Sequence, residues 1–186
     1  MKRSALYSLH LRAGANFAEY SGWELPAFFV SAEQEAAQIR KSVGLTDVSH
    51  SLKFDLRSKP EQPSWLLGAN HYLAVGESSG IPSAERIDVT SVYAALRLAG
   101  PRTGDVLSKL TSLNLADTSL PNLGCAQASL AHAPGIFLRE DIGPIPAFHL
   151  LVTRDYAESV WEAILHAGHE FHICPSGLDA LRSLPS

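Results

Sequence analysis

Three stretches of the chain repeat their apolar residues at the spacing of a helix face, and several others alternate apolar with polar residues as a half-buried strand does. In residues 32–43, Ala32, Ala36, Ile39 and Val43 fall on one helical face. Ser31 precedes them as a candidate N-cap with Gln34 three positions on, the capping-box arrangement, and Gly44 follows as a stop. A second helix is predicted to begin after Gly100-Pro101, where proline's missing N–H costs nothing, and to run through Val106, Leu107 and Leu110. The third has Thr153 as its cap, an apolar face of Tyr156, Ala157, Val160, Trp161, Ile164 and Leu165, and Gly168 as its terminator.

Strand patterns surround these helices. Leu52, Phe54 and Leu56 alternate with Lys53, Asp55 and Arg57, which predicts one buried and one solvated face. Residues 92–98, 126–132, 136–139, 147–152 and 170–174 are further strand candidates. The helices are too few and too irregularly placed for repeating βαβ units, so the expected fold is α+β, with mostly antiparallel sheets and about three helices. Residues 58–64, with Pro60 and Pro63, and residues 76–86, with two glycines, three serines and Pro82, read as loops. Residues 65–75 follow neither period. The chain is expected to form a single domain over 1–186, with any sublobes falling at 1–64 and 86–186 and joined by 65–85.

Composition narrows the class. The 186 residues are 46% apolar and 18% charged, enough for a core and a solvated surface. The net charge of −4 is spread evenly, and no basic block is present to displace counterions from a phosphate backbone, which argues against nucleic acid as a partner. No run of about 20 apolar residues could cross a membrane. Residues 1–14 begin like the basic region of a signal peptide, but His10 and Arg12 interrupt the apolar stretch and no small-residue cleavage site follows. Cys125 and Cys174 are too few for a disulfide framework, so a cytoplasmic protein with free thiols is expected.

Local motifs point to no enzyme class. Gly76-Glu77-Ser78-Ser79-Gly80 matches the G-x-S-x-G elbow, but that device needs a helix directly after it, and Ile81-Pro82-Ser83 starts one poorly. His166, His169, His172 and Cys174 bring zinc to mind. In the expected strand, however, alternation puts His169 on one face and His172 and Cys174 on the other, so no metal site is expected. Glu140-Asp141 reads as a solvated turn. Neither the P-loop pattern nor G-x-G-x-x-G occurs.

A longer pattern is more specific. Residues 6–10 (LYSLH) followed by 20–26 (YSGWELP), then 43–50 (VGLTDVSH), 94–101 (AALRLAGP), 109–113 (KLTSL), and the helix of 156–168 occur in one order along the chain. In that order they resemble the folate-binding region of the glycine-cleavage T-protein, the folate-dependent aminomethyltransferase family. The resemblance implies a T-protein-like domain, tetrahydrofolate as the bound molecule, and methylene transfer from an aminomethyl-lipoyl arm. It also implies that Trp23, Asp47, His50 and Ser51 line the pocket. For the same residues the alternatives stay open: Trp23 as core, Asp47 as a turn acceptor for backbone N–H groups, His50 as a partly buried imidazole.

The departures from the family are specific too. No acidic strand matches the one that carries its essential aspartate. The turn Gly143-Pro144-Ile145-Pro146 has no carboxylate where the family places its pterin glutamate, and the family's C-terminal barrel has no counterpart among these residues. Pro175-Ser176-Gly177-Leu178 is similar to the family's Pro-Cys-Gly-Leu, but Arg182 does not stand at the spacing of the arginine that follows it there. A shortened region of this kind is also similar to the gamma subunit of heterotetrameric sarcosine oxidase. Two expectations follow. One is a tetrahydrofolate-binding chain with reduced or no independent catalysis. The other is a non-catalytic subunit of a hetero-oligomer, partnered by another subunit or a lipoyl carrier protein.

Overall fold

In the computed structural model, residues 1–61, 63–76 and 85–185 are described. Their elements begin with β1 (Lys2–Arg3), α1 (Tyr7–Arg12), β2 (Asn16–Tyr20), β3 (Trp23–Phe28) and α2 (Ala32–Lys41). Next come β4 (Gly44–Asp47), β5 (Lys53–Leu56), β6 (Trp65–Gly68), β7 (His71–Val75), β8 (Arg86–Asp88) and β9 (Tyr93–Ala99). The remainder is α3 (Thr103–Ser108), β10 (Cys125–Leu130), β11 (Ala133–Arg139), β12 (Ala147–Thr153), α4 (Ala157–Ala167), β13 (Cys174–Ser176) and α5 (Leu178–Arg182). The fold is α+β and mostly sheet.

The strands form three sheets. The largest has the order β10-β11-β12-β9-β4-β13, antiparallel except for the parallel β13–β4 pair. A four-stranded sheet has the order β6-β7-β5-β8, and a small one the order β1-β3-β2. Alternation along the six-stranded sheet divides the core into two layers. Leu45, Leu96, Leu98, Phe137, Phe148, Leu150 and Val152 face α3 and α4 and pack with Val106, Leu107, Val160 and Trp161. Ala95, Ile136, Leu138 and Leu151 face the other way and pack with Tyr20, Trp23, Leu25, Trp65, Leu73 and Leu178 from the smaller sheets and α5.

Helix α2 starts as expected, with Ser31 Oγ accepting the Gln34 N–H at 3.2 Å. It stops at Lys41, earlier than its apolar spacing suggests, because Val43 enters the core and Gly44 opens β4. A Cβ on Gly100, which sits at φ +136°, would lie 2.2 Å from the Ser42 carbonyl oxygen, so only glycine lets the end of β9 pass beneath this helix. Helix α4 begins after a 3-10 turn (Arg154–Tyr156), and Thr153 makes no side-chain cap bond.

The structure overturns several expectations. Residues 170–174 do not form a strand: His169–Phe171 is a 3-10 turn, His172 is left-handed, and only Cys174–Ser176 pairs as β13. The cause is a tight reversal after α4, in which the Ile173 N–H bonds the Gly168 carbonyl and the Ile173 side chain closes over Gly168. Lys53 is not on a solvated face. It is fully buried, because β5 is an inner strand of its sheet and both of its faces are covered. Residues 65–75 form the β6–β7 hairpin, in the same sheet as β5 and β8. The G-x-S-x-G reading covers residues 76–80, of which 77–80 lie outside the described residues.

Candidate functional site

A cleft of about 460 Å³ opens where the small sheets meet the C-terminal helix, lined by Lys2, Ser21, Trp23, His50, Ser51, Leu52, Gly76 and Arg182. That size suits a small organic ligand. Each side of it has a local cause. The β2–β3 hairpin turns through Ser21 and Gly22, at φ 51° and 81°, the doubly left-handed turn that suits the twist of paired strands. This turn leaves Ser21 at the rim and Trp23 at the first position of β3. The Lys2 N–H bonds the Gly22 carbonyl at 2.8 Å, bringing β1 alongside. After β4 the chain turns back, with the Ser51 N–H on the Val48 carbonyl at 3.0 Å, and Gly76 closes the loop by bonding Leu52 at 2.9 Å.

Of the four residues singled out from the sequence, Trp23, His50 and Ser51 come together in this cleft, and Asp47 lies behind it. Burial pushes the His50 imidazole down to about 4, so it is neutral near pH 7, and its Nδ1 is buried without a hydrogen-bond partner. The ring lies 6.2 Å from that of Tyr20. Tyr20 donates to Asp179 Oδ1 at 2.8 Å, and burial together with that bond raises the phenol to about 12. The Arg182 guanidinium stacks 4.7 Å from the Tyr20 ring, and Lys2 Nζ stands 5.7 Å from the Trp23 ring. The cleft thus has an aromatic wall, a neutral imidazole and two cations, and no carboxylate among its described lining residues.

Asp47 is 1% exposed. Its Oδ2 lies 3.2 Å from Nε2 of the fully buried His10, and its Oδ1 accepts the Ser49 N–H at 3.0 Å. Burial alone would raise this carboxyl, but the bonds from His10, Ser4 and Ser49 outweigh it and hold the group below the usual range. Lys53 lies nearby, donating from Nζ to the Ser51 and Ser49 carbonyls at 2.7 and 3.1 Å. Burial lowers it to about 8, against the attraction of Asp47 and Asp88.

Sequence reading missed a second polar group. Arg97 and His149 are cross-strand neighbours on β9 and β12, and both meet Glu140. His149 Nε2 pairs with Glu140 Oε2 at 2.9 Å, and Arg97 Nη2 donates to the Glu140 carbonyl. Burial lowers the arginine to about 10, and the histidine bond holds Glu140 below its usual range. Asp141 in turn accepts Arg139 at 3.1 and 3.0 Å. Glu140-Asp141 is therefore a built ion-pair node and not a solvated turn. Two basic residues facing inward at one strand register were the signal that could have found it.

Among the described residues no three His, Cys, Asp or Glu side chains gather as a metal site. A further groove of about 500 Å³ over the β10–β11 hairpin has two titratable side chains among its described lining residues, Tyr93 and His132. No helix among the described residues is long and apolar enough to cross a membrane.

Residues 67–185 match the family model described as the GCVT N-terminal domain. The chain is 25% identical over 231 residues to the aminomethyltransferase of Halothermothrix orenii, covering 99% of this chain and 64% of that protein. It is 27% identical over 232 residues to that of Thermus thermophilus, covering 99% and 65%. The chain thus spans somewhat under two thirds of these relatives, and the matched spans exceed its own 186 residues, so the relatives carry internal residues that it does not. In fold it superposes on the aminomethyltransferase T of the glycine cleavage system from Bartonella henselae with a TM-score of 0.77, at 18% identity over 99% of this chain and 62% of that one. On a chain of heterotetrameric sarcosine oxidase from Corynebacterium sp. U-96, in complex with pyrrole 2-carboxylate, the TM-score is 0.61, at 17% identity over 75% of this chain and 92% of that one.

Proposed function

The chain belongs to the GCVT N-terminal domain family, and from that premise we propose that it is a tetrahydrofolate-binding protein of the aminomethyltransferase type with reduced or no independent aminomethyl transfer. One observation carries this reading: Trp23, His50 and Ser51 share one cleft of about 460 Å³ with two cations, and no carboxylate is among its described lining residues. Tetrahydrofolate is complementary to such a surface, with a flat pterin at one end and glutamate carboxylates at the other. The chain works as one shortened domain.

The reduced chemistry is argued from where the titratable groups are committed. Methylene transfer needs a polar group within hydrogen-bond reach of the reacting nitrogen, with a pKa near the working pH. Asp47 is taken up by His10 and Ser49, and Glu140 by His149 and Arg97. Among the described residues of the cleft His50 is the candidate base, and at about 4 it is too weak to serve well near neutrality.

A second reading is favoured by a separate observation. The sarcosine oxidase chain is matched over 92% of its length, and that protein is a heterotetramer. On this reading the chain is a non-catalytic subunit, with a protein partner of its own or a lipoyl carrier protein as its contact. Turnover of an aminomethyl-lipoyl donor, measured beside tryptophan-fluorescence titration with tetrahydrofolate, separates the readings. The proposal expects micromolar binding, about −8 kcal/mol, with no turnover. Turnover at the rate of a full-length relative would overturn the reduced-catalysis part, and absence of any fluorescence change up to millimolar ligand would leave the subunit reading.

A further inference from the structure

We infer that Lys53 is a positioning residue for the cleft: its buried ammonium bonds the backbone carbonyls of Ser49 and Ser51, the residues on either side of His50, and so presets the imidazole and Ser51 for the ligand. This rests on the preceding reading of the cleft as the ligand site.

Residues 48–52 join β4 to β5 outside any helix or strand, so their shape has to come from individual bonds. Their entry is tied to β9: the Val48 N–H bonds the Ala95 carbonyl at 2.9 Å, and Ser49 Oγ accepts the Ala95 N–H at 3.2 Å. The Ser49 N–H goes to Asp47 Oδ1 and the Ser51 N–H to the Val48 carbonyl, each at 3.0 Å. The Ser49 and Ser51 carbonyls are met by Lys53 Nζ, at 3.1 and 2.7 Å. His50 stands between these two held carbonyls. Its own Nδ1 has no partner, so the ring takes its place from the backbone that carries it.

The base of the clamp is fixed as well. On the inner strand β5, the Lys53 N–H donates to Thr90 Oγ1 at 2.9 Å and the Lys53 carbonyl accepts the Val89 N–H at 2.9 Å. An ammonium has three donors and no acceptor, so one side chain can hold two carbonyls, and its charge makes each bond roughly twice as strong as a neutral one. Asp47 on β4 and Asp88 on β8 attract that charge and oppose the effect of burial. His50 in the turn and His149 on β12 face it as imidazoles, and Val75, its partner on β7, brings no charge. A ligand entering the cleft therefore meets a turn that is already ordered and does not have to order it.

The test compares the wild-type chain with Lys53→Met, which keeps the reach of the side chain without its donors, and Lys53→Arg, which keeps charge and donors. Each is titrated calorimetrically with tetrahydrofolate and followed by hydrogen–deuterium exchange. In Lys53→Met, tetrahydrofolate should bind about tenfold more weakly and residues 48–52 should exchange about tenfold faster, with β12 and α4 unchanged. Lys53→Arg should recover the affinity to within about threefold of wild type. Burial holds Lys53 at about 8, so raising the pH from about 7 to about 9 discharges it. Wild-type affinity should then fall about threefold as the bonds lose their charge assistance, while that of Lys53→Arg stays level. Equal affinity in Lys53→Met and wild type, a folded Lys53→Arg as weak as Lys53→Met, exchange that rises equally across the whole sheet, or one pH slope shared by wild type and Lys53→Arg overturns the inference and leaves the folate reading standing. No binding of tetrahydrofolate by any of the three proteins removes the folate reading; faster exchange confined to residues 48–52 in Lys53→Met then upholds the clamp, and its absence removes that too. Should Lys53→Met fail to fold, the pH comparison decides, and should Lys53→Arg fail as well, the wild-type slope decides alone.

Discussion

Replacing Asp47 by asparagine keeps the side chain's shape and removes its charge, and the structure sets what this costs. The wild-type oxygens accept from the Ser49 N–H at 3.0 Å and His10 Nε2 at 3.2 Å, with a further bond from Ser4, in a site that is 1% exposed. Asparagine offers one oxygen and one NH2. If the oxygen stays on Ser49, the NH2 faces His10 Nε2, which can accept only by moving its proton to Nδ1. That atom is buried and without a partner. One buried donor is left unsatisfied either way, which costs about 2–3 kcal/mol. The urea midpoint should fall accordingly with the m-value unchanged, while the dissociation constant for tetrahydrofolate, measured where the variant is folded, should move less than about twofold. The deficit should also depend on pH. The folded carboxyl titrates below its unfolded value of about 3.9, so its stabilisation is full above that value and is lost as the pH falls through the folded pKa. Wild type and variant therefore converge in acid. A variant as stable as wild type that has lost ligand binding would refute this account and return Asp47 to the pocket.

Three further outcomes are expected. His50 is held near 4 in the fold against about 6.5 when unfolded, so its contribution to stability is lost as the pH falls from about 6.5 towards 4; His50→Gln should flatten that part of the pH–Tm curve, and an unchanged curve would count against the burial argument. Gly177→Ala places a Cβ 2.0 Å from the Ala27 carbonyl oxygen and 2.4 Å from the Phe28 nitrogen, both backbone atoms that cannot move aside; the variant should lose more than about 3 kcal/mol or fail to accumulate, as urea denaturation or soluble yield would show. Glu35, 3% exposed, accepts the Phe29, Val30 and Gly177 N–H groups at 2.6, 2.8 and 2.8 Å, tying α2 to the end of β3 and the start of α5; Glu35→Gln turns an NH2 onto one of these donors and should cost about 2 kcal/mol by urea denaturation.

The elements that bury a continuous apolar face were legible in the chain. Helix α4 shows its face at regular spacing, and β9, β11 and β12 are mostly apolar, interrupted by Arg97, Arg139 and His149, because a sheet covered on both sides needs apolar residues at most positions. The first 30 residues were opaque for the opposite reason. The edge strand β2 exposes most of its side chains, and α1 has six residues and no side-chain cap bond, so neither carries a period long enough to read. Lys53 misled because a lysine in an alternating run normally marks the wet face, and only the inner position of β5 in its sheet reverses that, with Nζ bonded back to the Ser49 and Ser51 carbonyls. At the site, Trp23, His50 and Ser51 were visible through a resemblance to a family. The cations completing the cleft, Lys2 and Arg182, lie 180 positions apart and become neighbours only in the fold.

Calorimetric titration of the purified chain with tetrahydrofolate, run beside a His50→Ala variant, tests the central claim most directly. The account predicts a micromolar dissociation constant, about −8 kcal/mol, weakened about tenfold when the imidazole is removed from the cleft. No heat up to millimolar ligand, or equal affinity in the two proteins, would contradict it.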